Sequence, residues 1–170
     1  MQAKRGFTLV EILIVVVILG ILAAIVIPQF TQASTEAKVS SSLSTLQSLR
    51  SQVELYKIQH NDFCPTLDAF DEAMTMCSNS NTTAATDYVA RTAANTTTHP
   101  YGPYMQAIPL NPWNNSRSLA ASDGDGVGWV YDEVTGDIFI AVSCISADTE
   151  TTATLTNAGA VYTAAPVADK

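Results

Sequence analysis

The chain has 170 residues, enough for one modest domain with an appendage. Its 16 acidic residues outnumber 8 basic ones, giving a net charge of −8, and Lys4 and Arg5 are the only basic residues before Lys38. That balance argues against nucleic acid as a direct partner, because a phosphate backbone demands a basic surface.

The first predicted element is apolar. From Phe7 to Ile27 only Thr8 and Glu11 are clearly polar. As a helix this stretch spans ~30 Å at ~1.5 Å per residue, the thickness of a bilayer's hydrocarbon core. Backbone groups in lipid must be satisfied internally, so helix is the predicted state despite the many Val and Ile residues. Lys4 and Arg5 lie before it and nothing basic follows closely, which predicts a cytoplasmic N-terminus and an outward-facing body. A cleaved secretory signal is the rival. The run is long for one, "IVIPQF" (25–30) offers no small-residue cleavage site, and "LAA" (22–24) is only a weak candidate.

Glu11 is costly as part of a plain anchor, since a carboxylate near a helix start costs a few kcal/mol in lipid. No cation lies between Phe7 and Lys38 to pair with it in the same helix. Two readings stay open: a free amino group at the start of a neighbouring copy, or a carboxylate snorkelling to the interface.

Residues 5–29 resemble the N-terminal signal of type IV pilins and type II secretion pseudopilins. That pattern is a short basic leader ending in Gly, then Phe-Thr-Leu-Val-Glu, then a hydrophobic helix. The resemblance implies that a prepilin peptidase cleaves the leader 1–6 after Gly6 and N-methylates Phe7. It implies that Glu11 pairs with the Phe7 amine of an adjacent copy during assembly, and that Pro28 kinks the helix. Losing residues 1–6 would leave six basic residues against 16 acidic ones, a net charge of −10.

Beyond the segment 7–29, a second helical stretch is predicted over 30–61. Val39, Leu43, Leu46, Val53 and Tyr56 recur at helical spacing, with Leu49 or Arg50 between, and make one apolar stripe. The stripe breaks off after too few heptads for a coiled coil, so it is expected to pack on a globular head, residues 62–170. Within the head, 66–77 can form a short second helix, and the Thr- and Asn-rich residues 78–100 are expected to be a surface loop. Cys64, Cys77 and Cys144 contain no C-x-x-C pair, so zinc is not expected. Outside the cytoplasm a Cys64–Cys77 disulfide is preferred, Cys64–Cys144 competes, and three reduced thiols remain the alternative.

Residues 101–115, "YGPYMQAIPLNPWNN", carry three prolines among aromatics, which predicts an ordered loop wedged by packing in preference to a binding platform. They are similar to the Gly-Pro-Tyr…Leu-Pro…Asp-Pro-Trp-Gly segment of major pseudopilins, with Asn111 in place of the Asp and Asn114 in place of the second Gly. "GWVYD" and "DIFIAV" around "EVTG" predict a β-hairpin over about 127–144, and 153–163 suggests a third strand. The expected fold is α+β: a long N-terminal helix, half transmembrane and half amphipathic, packed on a small antiparallel β-sheet head.

"SDGDGVG" (122–128) is the one metal-like cluster. Ser122, Asp123 and Asp125 with backbone carbonyls could hold Ca²⁺, or could form a solvated glycine turn. The resemblance favours calcium, since major pseudopilins carry it in the loop before their last strands. No nucleophile, phosphate-loop or dinucleotide motif points to an enzyme. The function implied by the resemblance is a pseudopilus subunit of type II secretion, anchored in a bacterial inner membrane with its head in the periplasm. Its implied partners are further copies of itself, the prepilin peptidase, an inner-membrane assembly platform and minor pseudopilins. A type IV pilin for adhesion, motility or DNA uptake is the runner-up. A membrane-tethered periplasmic binding domain that never polymerises is the third reading.

Overall fold

The computed structural model describes residues 7–81, 87–93, 95–145 and 149–162. The leader 1–6, Gly6 included, and the tail 164–170 lie outside the described residues. The chain divides into two compact units, residues 1–37 and residues 38–170. The fold is α+β. Helix α1 (Leu9–Gln59) belongs to both units and keeps Pro28 inside it.

In the first unit, every large apolar side chain from Leu9 to Ile27 is at least 41 % exposed among the described residues. In the second unit the stripe expected from the sequence is the core face of α1. Leu46, Leu49, Val53 and Tyr56 are buried, with Val39 and Leu43 packed at the edge. Leu49, not Arg50, fills the position between. Arg50 reaches sideways, donating from Nε and Nη2 to Ile138 O at 3.1 and 2.8 Å and from Nη2 to Gly159 O at 2.8 Å.

After α1 a single 3-10 turn (Leu67–Ala69) leads into α2 (Phe70–Thr75), which buries Phe70, Ala73 and Met74. The following stretch is less free than a surface loop. Cys77 pairs with Val89 and Ser78 with Tyr101 through the backbone. Tyr88 is buried, its hydroxyl 2.7 Å from that of Tyr56.

The hairpin forms as expected, from β2 (Trp129–Asp132) and β3 (Asp137–Ile140) in antiparallel register. (The short strand β1, Leu119–Ala120, precedes them in the chain.) The turn closes because Gly136 takes φ +81° and donates to Asp132 O at 2.8 Å. The Asp132 carboxylate accepts from Val134 N at 2.9 Å, which lowers its pKa. The sheet is not purely antiparallel: β1 pairs with β2 in parallel. Two residues are too short for an alternating pattern to reveal.

Residues 153–163 do not form the expected strand. Their first five, 153–157, lie in α3 (Thr149–Asn157), where Thr151 and Leu155 fall one turn apart and are both buried. The helix ends in a Schellman motif. Ala160 N donates to Leu155 O at 3.0 Å and Gly159 N to Thr156 O at 2.9 Å, with Gly159 at φ +63°. Among the described residues after α3, Val161 alone then joins the sheet, through one parallel bridge to Ile140.

The preferred Cys64–Cys77 pair is not joined in this structure, where Cys64, Cys77 and Cys144 stand as separate thiols. Cys64 lies under the hairpin turn, 3.0 Å from where a Cβ on Gly136 would sit. Cys77 is held by its backbone bridge to Val89, and Cys144 donates to Ala141 O at 2.8 Å. Burial raises the pKa of Cys64 and takes that of Cys144 to about 11, so neither is a ready thiolate.

Candidate functional site

Three places carry the sequence-predicted residues. The first is the start of α1. Phe7 is 82 % exposed and precedes the helix. Thr8 is the N-cap and Glu11 the third helical residue, and the two form a capping box. Glu11 Oε2 accepts from Thr8 N at 2.9 Å and from Thr8 Oγ1 at 3.0 Å, while Thr8 Oγ1 accepts from Glu11 N at 3.2 Å. Glu11 therefore has a partner in its own chain, and it is a neutral one. The T-x-x-E spacing of residues 8–11 is the signal that could have shown this. The box answers orphan N–H groups at the helix start and leaves the negative charge uncompensated, so an amine can still be attracted to it.

Pro28 lacks an N–H, which removes the usual donor to the carbonyl one turn earlier. Just beyond it, Thr31 Oγ1 donates to Ile27 O at 3.3 Å and Thr35 Oγ1 to Thr31 O at 3.1 Å.

The second place is the proline-rich loop. Asn111 is fully buried. Its Nδ2 donates to Gly128 O at 2.6 Å and its Oδ1 accepts from Trp113 N at 2.9 Å. Asn114 repeats the arrangement, donating to Val127 O at 2.9 Å and accepting from Ser116 N at 3.0 Å. The loop is thus stitched to residues 126–128 immediately before β2. The two departures from the family segment are the two amides that do the stitching. A carboxylate at 111 could accept from Trp113 but could not donate to Gly128 O. On the other side of the loop, Lys38 Nζ lies 5.5 Å from the Trp113 ring centroid.

The third place is the glycine-rich turn. Asp123 accepts from Ser143 N at 3.2 and 3.0 Å on its two oxygens and from Ser143 Oγ at 2.7 Å. Ser143 Oγ is also 2.7 Å from Gly124 O. A hydroxyl has one proton, so it cannot satisfy both acceptors at once. The result is a carboxylate, a hydroxyl and a carbonyl oxygen gathered beside the Ser143 N–H with one hydroxyl proton between two acceptors, and oxygens are the ligands a hard cation takes. Ser122 and Asp125 are exposed beside it. Sequence reasoning missed Ser143, which lies 20 positions from Asp123 and is brought to it only by the hairpin. Among the described residues, no three His, Cys, Asp or Glu side chains gather closely enough to hold a metal by themselves.

Of the two histidines, His60 is buried and structural. Its Nδ1 faces Tyr56 O at 2.9 Å and its Nε2 meets Ser78 Oγ at 2.9 Å, while the ring stacks on Tyr56 with centroids 3.7 Å apart. A carbonyl can only accept, so Nδ1 carries the proton, and burial lowers the pKa. His99 lies in the exposed loop beside Thr98.

Residues 1–27 match the prokaryotic N-terminal methylation motif. The chain is similar to the type II secretion system core protein G of Vibrio cholerae, at 31% identity over 125 residues, covering 74% of this chain and 75% of that protein. The Pseudomonas aeruginosa protein of the same name is 30% identical over 127 residues, covering 74% and 79%. The Klebsiella pneumoniae one is 29% identical over 126 residues, covering 74% and 81%. No solved structure matches the chain.

Proposed function

The chain belongs to the family of type II secretion system core protein G, and on that premise we propose that it is the structural subunit of a secretion pseudopilus. The observation that carries the reading is the first unit. It presents a helix whose apolar side chains are exposed among the described residues, headed by Thr8 and Glu11. Such a helix has two environments, the bilayer and a bundle of its own kind. A filament subunit needs both, one before assembly and one after.

In this reading a prepilin peptidase cuts after Gly6 and methylates Phe7. The new amino group lies four residues from Glu11 in its own chain, yet the Glu11 carboxylate already serves the helix start through Thr8. The amine that neutralises it comes from the next copy, which draws helices together in register as they leave the membrane. The role is mechanical and not enzymatic. The subunit sits in the inner membrane with its N-terminus cytoplasmic and its head periplasmic. An inner-membrane platform drives assembly, and minor pseudopilins join the same filament.

Calcium belongs to the same proposal. Asp123, with Gly124 O, Ser143 Oγ and the adjacent Ser122 and Asp125, supplies the oxygen ligands a calcium ion takes. Bound there, the ion would compensate the carboxylate charge and fix the turn before β2. Thermal unfolding with excess calcium or with EGTA tests it, and an unchanged midpoint would dispose of the site.

The deciding test of the function is the N-terminal mass of the membrane-extracted protein together with the fate of Glu11→Ala. We expect chains starting at N-methylated Phe7, and a variant that is processed normally yet assembles poorly. Retention of Met1, or wild-type filament yield from Glu11→Ala, would overturn the reading.

A further inference from the structure

The second unit carries two unlike patches at the two ends of its stretch of α1, which from Lys38 to Gln59 rises ~30 Å at ~1.5 Å per residue. At the far end, Ile58, Phe63 and Val134 are 74 %, 64 % and 85 % exposed. The hairpin turn that carries Val134 sits against the helix end that carries Ile58 and leads to Phe63. Lys57 Nζ donates to Thr135 O at 3.4 Å, and a Cβ on Gly136 would lie 3.0 Å from Cys64 Sγ. The charges left over there are negative. Asp62 and Glu133 are exposed, Glu133 Oε2 accepting from the neutral Leu67 N at 3.1 Å, while Lys57 is already paired with Glu54 at 3.0 Å.

At the near end, Lys38 is exposed over Trp113, and Leu110, three residues before Trp113, is 46 % exposed. No carboxylate lies within ion-pair distance of Lys38 among the described residues. One end therefore offers apolar surface with spare anions, and the other offers apolar surface with a spare cation.

We propose that these ends meet between copies: the Ile58–Phe63–Val134 patch of one head docks on the Lys38–Trp113–Leu110 patch of the next. The partner is a second copy of this chain, chosen by charge complementarity along with apolar area. Unlike patches make a heterologous contact, which repeats into an open chain unless its rotation closes a ring. The proposal rests on the filament reading and adds a polarity to it, since each head then has a giving end and a receiving end. It also gives a subunit of net charge −10 after leader removal a specific attraction to offset its self-repulsion.

The test is charge exchange in the full-length, processed protein, with sedimented polymer as the readout. Ile58→Lys places a cation opposite Lys38 on an exposed helical site, so the fold should survive; a thermal midpoint verifies that. We expect polymer yield to fall about tenfold or more. Lys38→Glu should fall similarly, facing Asp62 and Glu133. The double variant should recover most of the yield by pairing Lys with Glu. Wild-type yield from either single variant, or no recovery in the double, would overturn the contact while leaving the filament intact. A wild-type chain that forms no polymer would overturn the filament reading and this contact with it.

Discussion

Replacing Asn111 with Asp changes one atom pair in a fully buried site and should be expensive. Asn111 Nδ2 donates to Gly128 O at 2.6 Å. A carboxylate there puts an acceptor against an acceptor at the same distance. The lost bond is worth about 1 kcal/mol net, and a poorly compensated buried charge facing the Gly128 carbonyl, which keeps its bond from Ala141 N at 3.3 Å, adds about 2 kcal/mol. The bond from Trp113 N, 2.9 Å from Oδ1, survives and keeps the sum from growing further. The expected loss is roughly 3 kcal/mol at neutral pH, or about 6–12 °C in Tm for a chain of this size. Burial raises the new carboxyl's pKa in the folded state above its unfolded value of about 3.9. The variant should therefore lie closest to wild type below that value, where a protonated carboxyl can donate to Gly128 O, and lose stability as pH rises through the raised pKa. Thermal unfolding of the detergent-solubilised chain at several pH values reads both effects. A loss under about 0.5 kcal/mol at neutral pH, or one that does not vary with pH, would refute the reasoning.

Three further outcomes follow from the geometry. Gly159→Ala should cost about 1–2 kcal/mol, because the Schellman end of α3 holds this residue at φ +63°, and Gly159→Asn should recover part of it in the same unfolding assay. Burial lowers the pKa of His60, so the folded state prefers the neutral ring. Stability should then be full above the unfolded pKa near 6.5 and decline as pH falls through the lower folded value. His60→Gln should flatten that acid limb, and an unchanged limb would show that other groups make it. Arg50→Met should cost about 2 kcal/mol by stranding Ile138 O and Gly159 O, measured as a drop in the urea midpoint without a change in slope.

What the sequence disclosed, it disclosed through long or repeated patterns. The uncovered helix, the Leu46-to-Tyr56 stripe and the hairpin around Glu133–Gly136 each rest on many residues that agree. What it hid rests on one or two residues whose partners are distant. Strand β1 has only two residues, so no period can announce it. The Thr- and Ala-rich stretch of α3 reads as readily as a strand; buried Leu155 and the Gly159 turn decide the matter. Ser143 looks like any serine until the hairpin carries it to Asp123. The Thr8–Glu11 box is legible as T-x-x-E, although the charge of Glu11 in an apolar run is the more conspicuous signal than its role as a cap. Free cysteines follow from where three separate backbone segments are held, which spacing along the chain does not express.

The reach of Arg50 bears on the order of events during export. Its guanidinium joins residues 88 and 109 positions further along, at Ile138 and Gly159. Contacts of such long sequence separation can form only once the later partner is present, and closing loops of that size slows folding. In the proposed orientation, a chain crossing the membrane anchors by its apolar helix first and completes the Arg50 contacts only once residue 159 has emerged on the same side. Closure of those contacts would report, in that orientation, that the chain has passed as far as residue 159. A subunit recruited by its finished head surface is then, by construction, one whose passage is complete.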